Sequence, residues 1–115
     1  MSDKESRPAI LQGTLDLMVL QTVASMGPQH GYAIASRIEQ ASGGVLELNM
    51  GTLYPALMRL EQRGFLKGKW DVTENNRKAR FYALTAAGRR QLEVEKAGWA
   101  QTVGTIHRLL SEEIS

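Results

Sequence analysis

Residues 49–85 read NMGTLYPALMRLEQRGFLKGKWDVTENNRKARFYALT, and a change of period inside this stretch decides the fold. Leu53, Leu57 and Leu60 recur at i, i+4 and i+7, the spacing of one buried helix face. Asn49 is the expected N-cap, because its side-chain oxygen can accept from an early backbone N–H. The helix is expected to run to Arg63, with Gly64 just past its end. Pro55 lacks a backbone donor and belongs close to a helix start, so the first regular turn is expected near Gly51. Beyond Gly64 the spacing falls towards two. Residues 65–70 and 79–84 read as short strands, and the polar stretch 71–78 carries the turn dipeptide Asn75-Asn76. A helix leads into a hairpin with basic flanks.

Working outward, residues 13–26 are apolar around most of the circumference. Leu15, Met18, Val19, Thr22 and Val23 fall at helical spacing, and Leu17 and Leu20 widen the stripe, so this helix is buried on more than one side. Gly27-Pro28 ends it. A second helix is expected over 31–41, with Tyr32, Ile34, Ala35 and Ile38 as its apolar positions, before Ser42-Gly43-Gly44 breaks the chain and 45–48 continue extended. Thr85 caps a long final helix. There Leu92, Trp99 and Ile106 lie seven apart, with Val103 and Leu110 at the intervening position, an a/d pattern over almost three heptads. Helix, helix, helix, hairpin, helix is the order of a winged helix-turn-helix, mainly α with a small β-hairpin and a C-terminal dimerisation helix. The expected division is a flexible segment 1–9, a DNA-binding domain 10–85 and a dimerisation helix 86–115.

The 115 residues fit one domain, and the absence of cysteine removes disulfides, thiolate zinc sites and cysteine nucleophiles together. His30 reads as a turn or cap residue and His107 as a helix-surface residue, neither with an acid at ligand spacing, so no metal is expected. Gly43-Gly44 precedes no Lys-Ser/Thr, and no carboxylates cluster; an enzyme would have nothing to work with, and no cofactor is expected. No run approaches the 18 apolar residues of a membrane span, and the start of the chain is charged, unlike a signal peptide. A cytoplasmic protein with no membrane partner is the expectation. The net charge is +2, but it is not spread evenly. Residues 65–84 carry Lys67, Lys69, Arg77, Lys78 and Arg80 against Asp71 and Glu74, or +3, while residues 1–64 sum to −1 and 85–115 to zero.

That local excess suits double-stranded DNA, with the third helix in the major groove and the hairpin at an adjacent groove or backbone. The outward positions of the third helix are Asn49, Met50, Thr52, Tyr54, Pro55, Met58, Arg59 and Gln62. Several can donate to phosphates, and Thr52 and Asn49 can also touch base edges. Tyr54 either contacts DNA or packs on the wing; Tyr32 either donates to a phosphate or completes the core. Arg59 and Arg63 have Glu61 and Glu39 as alternative partners, in exposed pairs worth at most about 1 kcal/mol that would yield to DNA. The rival reading is a winged-helix protein-interaction module, which would need no cationic wing.

Three segments together resemble the PadR-type winged-helix transcriptional regulators of the short subclass, over about residues 10–110. They are Gln12-Gly13-Thr14-Leu15-Asp16-Leu17 leading to Gly27-Pro28-Gln29-His30-Gly31-Tyr32-Ala33-Ile34; Gly51-Thr52-Leu53-Tyr54-Pro55-Ala56-Leu57 continued by Arg59-Leu60-Glu61; and Arg77-Lys78-Ala79-Arg80-Phe81-Tyr82-Ala83-Leu84-Thr85-Ala86-Ala87-Gly88. The resemblance implies a homodimeric DNA-binding repressor whose last helix exchanges contacts with its partner's, with DNA binding often relieved by a small molecule. It places Tyr54 and its neighbours on the recognition helix and residues 78–82 on the second wing strand. The tip here departs from the pattern by carrying Asp71 and Glu74, which moves the expected wing contacts to Lys69, Arg77, Lys78 and Arg80.

Leu92, Trp99, Val103, Ile106 and Leu110 are the expected dimer residues. Two readings of Trp99 stand. It is a core residue of the dimer, where an aromatic buries about 150–250 Å², or, as the resemblance implies, a platform for a planar aromatic effector. Gly98 and Gly104 each cost a helix about 1 kcal/mol relative to Ala, and with Ala97 and Ala100 they suit close helix approach.

Overall fold

A computed structural model describes residues 12–114, in the order α1 (Gln12–Met26), β1 (Gln29–His30), α2 (Gly31–Ala41), α3 (Met50–Gln62), β2 (Leu66–Val72), β3 (Lys78–Leu84) and α4 (Ala86–Ile114). The segment 1–9, expected to be flexible, lies outside the described residues. Three helices and a small antiparallel sheet, followed by a long last helix, make a winged helix-turn-helix.

The core forms where the apolar faces of α1, α2 and α3 meet. Val19, Leu20 and Val23 of α1, Ile34 and Ile38 of α2, and Leu53, Leu57 and Leu60 of α3 are buried together. Leu66 and Tyr82 close this core from the sheet, and Leu92 from α4. Each fully buried Leu or Ile contributes roughly 1.5–3 kcal/mol relative to exposure.

Local chemistry sets the helix ends. Asn49 Oδ1 accepts from the Thr52 N–H at 2.9 Å and starts α3. At its other end Gly64 has φ +80°, and the Gly64 and Phe65 N–H groups donate to the Glu61 and Leu60 carbonyls. The left-handed turn turns the chain into β2 at little steric cost because Gly has no Cβ. Thr85 Oγ1 accepts from the Gly88 N–H at 2.9 Å and donates to the Gly64 carbonyl at 2.6 Å, tying the start of α4 to the end of α3. Gly88 is required by this closeness, since a Cβ there would lie 2.1 Å from the Phe65 carbonyl oxygen.

Three features differ from the sequence expectation. The sheet has three strands, ordered β1-β3-β2, because Gln29 and His30 pair with Tyr82 and Phe81. His30 is also the N-cap of α2, its Nδ1 accepting from the Ala33 N–H at 3.3 Å, and its ring meets Phe81 edge-on. Pro55 sits inside α3, which starts at Met50. Proline there removes the i→i−4 hydrogen bond to Gly51, in the first turn, while the buried Leu53, Ala56 and Leu57 around it hold the helix against the core. Leu92, expected among the dimer residues, packs into the core of the chain itself and is 4% exposed. Heptad spacing identifies an apolar stripe but not its partner, and the first turns of α4 lie against α1 and the sheet.

Candidate nucleic-acid interface

The outer face of α3 and the hairpin β2–β3 form one continuous surface. The helix shows Thr52, Tyr54, Pro55 and Met58 outward while Leu53, Ala56, Leu57 and Leu60 are buried. Asn49 is exposed at its start, with its carbonyl oxygen used in the cap and its NH₂ donors left over. Tyr32, near the start of α2, is 73% exposed and therefore no part of the core. Between helix and wing lies a cleft of about 230 Å³, lined among others by Tyr32, Tyr54, Trp70, Lys78 and Arg80.

Register divides the wing cations. Trp70 pairs with Arg80, Val72 with Lys78 and Gly68 with Tyr82. Directly opposed residues share a face, so Lys78, Arg80, Trp70 and the buried Tyr82 lie on the face turned towards α3. Lys67 and Lys69 alternate to the other face with Phe81. The structure therefore brings Lys78 and Arg80 together beside α3 but places Lys69 across the sheet from them. Arg77 is exposed at the end of the turn, where Asn76 takes φ +60° and the Thr73 N–H donates to the Arg77 carbonyl at 2.8 Å.

Arg59 and Arg80 both have carboxylate partners. Arg59 turns inward: its Nη2 donates to Asp16 Oδ1 of α1 at 2.7 Å, with the Asp16 side chain only 7% exposed. The sequence reading counts Arg59 among the DNA-contacting residues, with Glu61 or Glu39 as alternative partners. Asp16 takes that place because a carboxylate buried between helices needs a cation within reach. Arg80 Nη2 donates to Glu61 Oε2 at 2.5 Å, and its guanidinium carbon lies 5.8 Å from the Trp70 ring centre. Lys78 Nζ lies 5.6 Å from the same ring. The hydrogen bond to Glu61 pushes the Arg80 guanidinium above its ordinary pKa, and burial pushes the Tyr82 phenol up. Arg80 is thus a cation and Tyr82 a neutral phenol at neutral pH, which makes neither a pH switch.

Trp70 and Glu61 carry much of this geometry, and the sequence reading missed both as site residues. The one available signal was an apolar aromatic in a basic hairpin strand. Glu61 looked like an ordinary helix-surface acid, because its partners lie in later elements. Among the described residues no group of three or more His, Cys, Asp and Glu could hold a metal ion, and no helix is long and apolar enough to cross a membrane.

On α4, Val94, Trp99, Ile106, Leu109 and Leu110 are all exposed, and Val103 is half-buried. Trp99 is 49% exposed and borders an open groove of about 520 Å³ between α1 and α4, together with Leu17, Val94 and Gly98. Among the described residues, and apart from the neighbouring backbone of α4 itself, nothing lies within 4 Å of a Cβ built on Gly98.

Residues 19–94 match the family described as Transcriptional regulator PadR-like family. A relative from Streptomyces fradiae, described as an uncharacterized 37.1 kDa protein in transposon TN4556, is 40% identical over 90 residues, which are 78% of this chain and 24% of that protein. The chain spans about a quarter of that relative's length. A solved transcriptional regulator from Clostridium thermocellum superposes with a TM-score of 0.76 at 25% identity, covering 84% of this chain and 93% of that one. A PadR family transcriptional regulator from Eggerthella lenta gives a TM-score of 0.73 at 29% identity, covering 86% of this chain and 83% of that one.

Proposed function

The chain belongs to the PadR-like family of transcriptional regulators, and from that premise we propose that it is a homodimeric, sequence-specific DNA-binding repressor. One observation carries the reading: the exposed polar and aromatic face of α3 is continuous with the cationic inner face of the wing. Thr52, Tyr54, Pro55 and Asn49 enter the major groove, with Thr52 and Asn49 reaching base edges. Tyr32, Arg77 and Lys78 hold phosphates on the near side, and Lys69 does so from the far face of the wing. Residues 10–85 serve as the DNA-binding domain. The exposed stripe Trp99, Val103, Ile106 and Leu110 on α4 joins two copies, so that two recognition helices address half-sites about 34 Å apart. Bound at a promoter, such a dimer represses by occupancy and needs no chemistry of its own.

A salt series tests this reading. Against the DNA upstream of its own gene, the protein's log affinity is expected to fall linearly with log salt. Lys78→Ala is expected to weaken binding to every sequence alike and to flatten that slope by about one ion, or about 0.9 in log–log terms. Absence of specific retardation at micromolar protein would instead favour the protein-interaction module.

Relief by a planar aromatic effector is the second part of the proposal, supported by the open groove beside Trp99. Trp99→Ala distinguishes its two roles. A variant that stays dimeric and loses the response to a planar aromatic probe assigns Trp99 to the ligand; a variant that dissociates on dilution assigns it to the dimer core.

A further inference from the structure

Glu61, Gly68, Trp70 and Arg80 meet at the junction of recognition helix and wing, and DNA contact alone does not account for their arrangement. Glu61 occupies the last turns of α3. Its Oε2 accepts from Arg80 Nη2 of β3 at 2.5 Å and from the Gly68 N–H of β2 at 3.3 Å. One carboxylate oxygen therefore ties the helix to both strands of the wing. The guanidinium reaches it by lying across Gly68, where a Cβ would fall 2.5 Å from Arg80 Nε and 2.7 Å from Cζ. The exposed indole of Trp70, directly opposite Arg80 in the register, supplies a π face beside the cation. Glycine as the gap, glutamate as the anion and tryptophan as the backing are three separate requirements on one side chain.

A two-stranded ribbon is marginally stable by itself, and beyond Leu66 most of β2 is exposed, as is Lys78 at the start of β3. Cations at its outer end meet phosphates only if the ribbon stands at a fixed angle to α3. Charge-assisted contacts are the strong, directional way to hold such an angle.

We propose that Glu61 and Arg80 are positioning residues that set the angle of the wing against the recognition helix, with Arg80 held by Glu61 and not spent on a DNA phosphate. The proposal rests on the DNA-binding reading of this face, but half of its test does not use DNA. The test compares Glu61→Ala and Arg80→Ala, alanine being the best helix former at position 61, with their double variant.

Each single variant is expected to bind the upstream DNA about ten-fold more weakly, with the salt slope changed by less than about half an ion. The double variant is expected to be no worse than either single one, as for residues acting as a unit. If Arg80 instead neutralises a phosphate, Glu61→Ala frees it and binds as well as or better than the parent, while Arg80→Ala flattens the slope by about one ion. Either of those results overturns the proposal.

The DNA-free readouts are amide exchange at Gly68 and the emission of Trp70 in a Trp99→Phe background. Glu61→Ala is expected to speed the exchange about ten-fold and to shift the emission, and unchanged values for both overturn the staple. If the parent protein shows no salt-dependent DNA binding, the reading of the face as a DNA site fails, and these two signals decide the staple alone.

Discussion

Asp16→Ala is expected to lower the stability of the fold by about 2–4 kcal/mol, seen as a fall in the urea midpoint with little change in slope. Asp16 is nearly buried in α1, yet it is polar, and its stabilising partner Arg59 comes from α3. Removing one member of a buried ion pair typically costs about 3–5 kcal/mol, because the other charge is left without compensation. Arg59 keeps a quarter of its side chain exposed and can regain some water, which sets the lower range. Among the described residues its buried Nε has no hydrogen-bond partner, so the guanidinium is already incompletely satisfied and cannot absorb a further loss cheaply. The charge-free pair Asp16→Leu with Arg59→Met is expected to recover most of the loss. A change below about 0.5 kcal/mol for Asp16→Ala, the size of an ordinary surface substitution, would show that the pair contributes little.

Ile106→Asp combined with Leu110→Asp is expected to produce a folded monomer that binds the upstream DNA about 10²–10⁴-fold more weakly. Both side chains are about half exposed in the protomer, so charging them leaves its core intact. In a dimer they would face the partner's apolar stripe, where two like charges brought together without counter-ions are strongly unfavourable. The functional loss is large because dimerisation makes the second half-site contact intramolecular. A chain with a net charge of only +2 has little non-specific attraction to replace it. Sedimentation gives the oligomeric state and anisotropy gives the affinity. A double variant that still sediments as a dimer would place the interface elsewhere on the chain.

Much of the fold was legible in the sequence because it depends on local rules. Leu53, Leu57 and Leu60 announce the buried face of α3, and Asn49, Gly64 and Thr85 punctuate the chain through contacts within a few residues or across one turn. Where the sequence reading fell short, the deciding partner is distant. Asp16 and Arg59 are 43 residues apart, and nothing in either neighbourhood pairs them. Gln29-His30 has no strand pattern and becomes a strand only because β3 presents a free edge. Leu92 belongs to the same heptad stripe as Trp99, yet the fold uses it internally. The candidate surface was legible in kind, a helix plus a basic wing. Its detail was not, because the alternation that separates Lys69 from Lys78, and the gap at Gly68 that seats Arg80, appear only once the register is fixed.

A dimer of the proposed kind would set two wings and two recognition helices on DNA about a two-fold axis. Hydroxyl-radical footprinting on the DNA upstream of the gene is expected to give two protected patches on one face of the duplex. Their centres should lie about 10 bp, one helical turn, apart, and Lys78→Ala should weaken both equally. A single protected patch, or protection that is uniform along the fragment at saturating protein, would contradict a symmetric sequence-reading dimer.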